Sequence, residues 1–286
     1  MPELPEVEVV RAGLERHLIG KQIREVSVLH PRAIRKHLAG LQDFEGRLAG
    51  RKISDIRRRG KYLWFEFDDE EVLVGHLGMS GQFLLVPNDA EFEKHLRINF
   101  SFSKWPMQLR FVDQRTFGGM SIDQLDSDLV NSGPKSISHI ALDPFDAGFS
   151  APDLVRRLRQ RDAEIKRLLL DQNLVSGIGN IYADESLWRA KIHPRRLASS
   201  LSQDKVSLLI DSATAVMGEA LAAGGTSFDD LYVNVNGESG YFERGLAVYG
   251  RRGEPCPRCA SPIRREAFMG RSSHFCPVCQ RAPRTR

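Results

Sequence analysis

Two Cys-x-x-Cys pairs, Cys256-Pro-Arg-Cys259 and Cys276-Pro-Val-Cys279, constrain this chain more than any other feature, and 16 residues separate them. Knuckles at that separation bring four thiolates into tetrahedral reach of one Zn2+. A closed four-sulfur shell leaves no coordination position for a substrate, so the expected metal is structural. Between the pairs, alternation over residues 262–267 and 272–275 predicts a hairpin turning at Met269-Gly270. These four cysteines are all the chain has, so no disulfide framework is available elsewhere. A redox role for the pairs would need a thioredoxin-like strand-helix-strand context, which the flanking sequence lacks.

Charge is concentrated in the same region. From Arg244 to the end there are ten arginines, no lysine and two acids (Glu254, Glu266), giving +8 against a net +4 for the whole chain. Arginine's planar fork suits phosphate, and a patterned basic module points to nucleic acid rather than to a solvated tail. A second basic stretch, Arg57, Arg58, Arg59 and Lys61, leads into a strand pattern. Arg271, just after the hairpin turn, is placed to reach phosphates, although an isolated arginine is more often merely solvated. The residues after Cys279 read as a disordered basic tail. No apolar run approaches the roughly 20 residues of a membrane helix. The opening Met-Pro-Glu-Leu-Pro-Glu is acidic and unlike a secretory signal. The expectation is a cytoplasmic protein, a monomer without membrane contact.

Leu4, Val7, Val10, Leu14 and Leu18 recur at helical spacing, with Pro5 in the first turn and Gly20 as a stop. From 23 to 121 the pattern is one of strands, clearest at 61–67, 72–77, 82–86, 97–102 and 107–112, which suits an antiparallel sandwich or barrel. Beyond Pro152 it becomes helical at 153–159, 163–171, 180–190 and 203–222. Asn173-Leu-Val-Ser-Gly-Ile-Gly179 forms a tight connection between two of these helices. The glycine-bearing stretches around Gly224 and Gly240 have the composition of a loop, either a lid or an ordinary surface segment.

The first residues carry possible chemistry. Removal of Met1 before a small residue exposes the Pro2 nitrogen as a secondary amine able to form an iminium with an aldehyde-level carbon. An α-amino group titrates near 8, and the positive end of a helix dipole disfavours its protonated form. Glu3 and Glu6 lie within one turn, and Lys61 is a further candidate. By spacing alone, Pro5 and two glutamates at a helix start are ordinary capping chemistry with Pro2 as a mere leader, and that reading outweighs the catalytic one.

The run Met1-Pro-Glu-Leu-Pro-Glu-Val-Glu8 resembles the start of the formamidopyrimidine-DNA glycosylases. Gly60-Lys-Tyr-Leu63, His76-Leu-Gly-Met-Ser-Gly81, Asp113-Gln-Arg-Thr-Phe-Gly118, Gly177-Ile-Gly-Asn-Ile-Tyr-Ala-Asp-Glu185 and the paired cysteines resemble the family's other blocks, in the same order. Together they span nearly the whole chain.

The resemblance implies an α+β multidomain fold: an N-terminal β-sandwich with a leading helix (1–132), a linker (133–150), a helix–two-turns–helix domain with a lid loop (151–240), and a zinc finger with a basic tail (241–286). It implies a bifunctional glycosylase and abasic-site lyase that acts on oxidised purines in double-stranded DNA. Pro2 is then the nucleophile, Glu3 and Lys61 assist, and Glu6 supports the helix geometry. Met79, Arg115 and Phe117 match the residues that fill the duplex when a base is extruded, whereas read without the family they are two core residues and a surface ion-pair partner. Asn180 and Arg271 match phosphate contacts, Cys256, Cys259, Cys276 and Cys279 the zinc ligands, and 226–236 the lid. Thr116 departs from the family pattern, since many relatives carry a basic residue there. Two alternatives stand beside this reading. The related endonuclease VIII group acts on oxidised pyrimidines but typically has glycine where this chain has Leu4. A catalytically silent zinc-dependent DNA-binding protein would have lost Pro2, Glu3 or Lys61.

Overall fold

The computed structural model describes residues 2–126, 133–225 and 245–283. The chain divides into two compact units, residues 1–139 with 223–241, and residues 140–222 with 242–286.

The first unit opens with helix α1 (Leu4–Leu18), whose apolar stripe Leu4, Val7, Val10, Leu14 and Leu18 is buried as its spacing requires. The helix ends at Ile19, and Gly20 follows at φ +80°, where a side chain would be strained. Then come β1 (Ile23–Val28), α2 (Leu41–Leu48), β2 (Asp55–Arg59), β3 (Tyr62–Glu66), β4 (Glu71–His76), β5 (Gly81–Pro87), β6 (Leu96–Phe102), β7 (Met107–Asp113), β8 (Gly119–Asp126) and β9 (Gly133–Pro134). They form two antiparallel sheets, ordered β1-β6-β7-β5 and β2-β3-β4-β8-β9. Phe65 of β3 meets Phe83 of β5 edge to face, ring centroids 5.9 Å apart, and Phe83 meets Phe111 of β7 at 5.3 Å. The inner faces therefore share one core, and the unit is the expected sandwich.

The strand pattern expected from 23 to 121 is interrupted by α2 and by a single 3-10 turn at Pro31–Ile34. Helix α2 buries only Phe44 and Leu48, and one apolar pair four residues apart is too short a signal to separate helix from strand.

The second unit holds α3 (Ala151–Arg159), α4 (Ile165–Leu169), α5 (Asn180–Arg189), α6 (Gln203–Ala222) and the hairpin β10 (Arg264–Phe268)–β11 (Arg271–Phe275). Helix α6 packs its face of Val206, Leu209, Ile210, Ala213, Val216 and Met217 against α3 and α5. In the α4–α5 connection, the Gln172 amide accepts from the Gly177 N–H and donates to the Leu170 and Ile178 carbonyls, all at 3.0 Å. The hairpin turns at Met269 and Gly270, both at positive φ (+46° and +71°), as a two-residue turn matched to strand twist requires.

The tail expectation needs correction at its first residues. Gln280 is fully buried: its amide accepts from Cys276 N–H and donates to the Ile192 carbonyl, both at 2.9 Å. Composition cannot reveal a polar side chain whose partners are all backbone. Among the described residues no helix is long and apolar enough to cross a membrane.

Candidate active site and metal centre

Three of the expected residues gather at the start of α1. Pro2 is buried, and Glu3 follows as the N-cap in an extended conformation. Its backbone N–H donates to Glu6 Oε2 at 2.9 Å, within a reciprocal capping box. Glu3 is 2% and Glu6 7% exposed. Burying carboxylates is costly unless hydrogen bonds offset it, so this cluster is held for more than solubility. The helix is keyed to β2 by Arg58, which donates to Glu8 at 2.8 Å, and by Arg11, which donates to the Ile56 carbonyl at 3.0 Å. Gly225 lies against Glu6. The expected lid, 226–236, falls outside the described residues.

Lys61 is buried in the turn between β2 and β3, beside Gly60 at φ +56°. Between the paired strands β3 and β4, the ring of Tyr62 stands 4.7 Å from that of His76. Burial, reinforced by the charges of Lys36, Lys61 and Arg35, pushes His76 down to about 4. Its Nδ1 accepts from the Gly78 N–H at 3.0 Å, so the neutral ring carries its proton on Nε2, a donor. Tyr62, His76, Arg35 and Lys36 line a recess of about 230 Å3.

Met79 is 39% and Phe117 45% exposed, so the reading of both as core residues fails. Arg115 is exposed on the same loop as Phe117. In the other unit, Asn180 begins α5 and donates through Nδ2 to the Ser272 carbonyl at 2.9 Å. That contact brings it next to Arg271, the exposed first residue of β11.

The four cysteine sulfurs lie within 4.8 Å of one another, and a tetrahedral Zn–S shell needs separations on the order of 3.8 Å. The residues therefore fit one zinc, held by Cys256, Cys259, Cys276 and Cys279. Ser261, through its backbone and hydroxyl, draws the Cys259 thiol down to about 6. For Cys256 burial acts upward, but the Trp188 indole and the backbone N–H groups of Arg258 and Cys259 outweigh it.

Sequence reasoning missed the groups that fix this module to α5. Asp184 pairs with Lys166 at 2.7 Å, both fully buried, and accepts from His274 N–H at 2.8 Å. Glu185 accepts three backbone N–H groups, from Ala247, Val248 and Tyr249, at 2.8–2.9 Å. The available signal was two adjacent acids flanked by Ile181-Tyr-Ala183 and Leu187-Trp188.

Comparison with known proteins agrees with this geometry. Residues 1–120 match the formamidopyrimidine-DNA glycosylase N-terminal domain, 140–231 that family's H2TH domain, and 253–282 the zinc finger found in FPG and IleRS. The chain is 58% identical to a formamidopyrimidine-DNA glycosylase of Nocardioides sp. over 288 residues, covering 100% of this chain and 96% of that one. It is similar to Lactococcus lactis Fpg solved in complex with abasic-site DNA (TM-score 0.86, 36% identity, 98% and 100% of the two chains). The same protein solved with DNA containing an oxidised pyrimidine gives a TM-score of 0.85 at 36% identity and the same coverage.

Proposed function

The chain belongs to the formamidopyrimidine-DNA glycosylase family, and from that premise we propose that it excises oxidised purines from duplex DNA through an iminium formed at Pro2. The observation that carries the reading is the buried polar start of α1, where Pro2, Glu3 and Glu6 share one helix end. Once Met1 is removed, the Pro2 nitrogen attacks C1′ of the damaged nucleotide, the bond from C1′ to the base breaks, and the sugar is held as an iminium. Glu3 moves a proton at the opening sugar ring, with Glu6 fixing its backbone. Lys61 assists beside the lesion phosphate while β- and δ-elimination release the strand on both sides. The target nucleotide must leave the stack first. Met79 fills the gap, Arg115 bonds the orphaned cytosine and Phe117 wedges the neighbouring step. Asn180 and Arg271 hold phosphates.

In this reading residues 1–132 form the catalytic domain, 133–150 the linker, 151–240 the helix–two-turns–helix domain with its lid, and 241–286 the zinc finger and tail. The protein works as a cytoplasmic monomer on double-stranded DNA.

Borohydride reduction tests the chemistry. A duplex with 8-oxoguanine opposite cytosine should be trapped covalently, and Pro2→Gly should reduce trapping severely. Absence of trapping with protein lacking Met1 would sink the proposal. A stronger reaction with thymine glycol would favour oxidised pyrimidines, the reading supported by the oxidised-pyrimidine complex of the Lactococcus relative.

A further inference from the structure

Met79 and the Arg115–Phe117 pair stand on different loops, yet a hydrogen-bonded hub ties the loops together. The Ser80 hydroxyl donates to Asp113 Oδ1 at 2.6 Å. The Arg115 N–H reaches both Ser80 Oγ and Asp113 Oδ1 at 3.1 Å. Asp113 Oδ2 accepts from the Gly118 N–H at 2.8 Å. The carboxylate is fully buried, so both of its oxygens are spent on these two loops. From the other side, the Arg35 guanidinium donates to the carbonyls of Phe117 and Gly118, each at 2.7 Å. The backbones themselves touch: a Cβ on Gly78 would stand 2.3 Å from Gly118 N and 2.5 Å from the Phe117 carbonyl carbon.

Between Arg115 and Phe117, Thr116 is buried at φ +52°. That left-handed conformation strains a β-branched residue. Such strain persists only where the surroundings over-determine it.

We propose that Ser80, Asp113 and Arg35 are positioning residues that hold Met79, Arg115 and Phe117 as one rigid wedge, keeping Thr116 in its strained conformation. The proposal rests on the insertion role given above to those three side chains. Exposed apolar groups on a loose loop fold back onto it, and straightening them costs free energy when DNA arrives. On a fixed platform that ordering is complete before binding. The clamp therefore acts on extrusion of a paired base and leaves the sugar chemistry at Pro2 unchanged.

The test compares Ser80→Ala with the wild type on two duplexes, one with 8-oxoguanine opposite cytosine and one with a preformed abasic site, which has no base to unpair. Loss of a buried hydrogen bond should slow excision roughly tenfold, while cleavage at the abasic site changes by less than about twofold because extrusion there is cheaper. Asparagine takes positive φ more readily than a β-branched residue without glycine's extra backbone freedom, so adding Thr116→Asn to Ser80→Ala should restore part of the excision. Equal loss on both substrates, an unchanged excision rate, or a double variant no better than Ser80→Ala overturns the clamp. Fluorescence of a 2-aminopurine beside the lesion reads unstacking without any bond to Pro2. A wild type that unstacks the duplex but is never trapped at the abasic site would overturn the Pro2 reading and leave the clamp standing.

Discussion

The sandwich and the zinc hairpin both hold exposed side chains in place, and they do so with different materials. The sandwich surrounds a continuous cluster that runs from Val7 and Leu14 of α1 through Phe44, Phe65 and Phe83 to Phe111 and Met120. The hairpin has much less of this. Besides the buried rings of Phe268 and Phe275, its apolar cluster is Val248, Cys256, Ile263 and Cys276, with Trp188 and Cys279 packed against it, and four of the five residues of β10 are exposed. The lesson is that a large apolar core can carry the hydrogen-bonded hub that positions Met79 and Phe117, whereas Arg271 depends on a metal and on buried polar bonds to α5. A segment with so little core is stable only when ligand binding supplies the folding free energy.

The sharpest way to break the comparison is to remove the metal. Zinc binding to such modules supplies on the order of 10 kcal/mol, far more than the small apolar cluster can replace. Cys276→Ser, or chelation, should therefore unfold the hairpin and lower DNA affinity by roughly a hundredfold at fixed salt. The melting transition of the sandwich should stay in place. Calorimetry with and without chelator checks this, and a sandwich transition that moved with the zinc would show that the two materials are not separable. The converse is Phe111→Ala, a fully buried ring whose truncation costs about 3–5 kcal/mol. Zinc content, measured by metal analysis, should be unchanged in that variant.

The same contrast decides what was legible in the sequence. Cysteine spacing disclosed the zinc centre because tetrahedral coordination fixes which residue types must recur and how far apart. The periodicity of α1 and α6 disclosed their buried faces for a similar reason. Periodicity does not disclose which polar groups are buried. Asp113, Ser80, Asp184, Glu185 and Gln280 all look like surface residues until the fold supplies their partners. Met79 and Phe117 erred the other way, since an apolar type suggests the core and only the ordered family blocks put them outside. The strained Thr116 was visible as a departure, but its backbone conformation was not.

A smaller effect sharpens the comparison from the sandwich side. His76 is pushed down to about 4 by burial, with Lys36, Lys61 and Arg35 adding to it, against about 6.5 in an unfolded chain. As acid is added the unfolded state takes up the proton first. The stability linked to this group is therefore complete above about pH 6.5, is lost as pH falls toward about 4, and declines no further below that. The loss should be about 1–2 kcal/mol once partial exposure is allowed for. Melting temperatures of the wild type and His76→Asn from pH 7 to pH 4 measure it. Parallel curves would mean that the ring takes a proton in the folded state as readily as in the unfolded one.

The smallest predicted effect concerns how the metal is itself supported. The Trp188 indole N–H points at Cys256 Sγ, 3.4 Å away. The Arg258 guanidinium covers that ring at 4.0 Å and donates to the Trp188 carbonyl at 3.0 Å, so the indole is pinned from its face. A donor aimed at a thiolate stabilises the anion that the metal requires, and outer partners of this kind tune affinity without touching the ion. Trp188→Phe keeps the ring and removes the N–H. Zinc transfer to a chelator should then quicken by up to roughly tenfold, and the thiolate-to-metal band of the cobalt-substituted protein should shift. The melting transition of the sandwich should not move, because no apolar contact of that unit is altered. An unchanged release rate and spectrum would mean that the ring serves as packing alone and that the four sulfurs and α5 suffice to hold the metal.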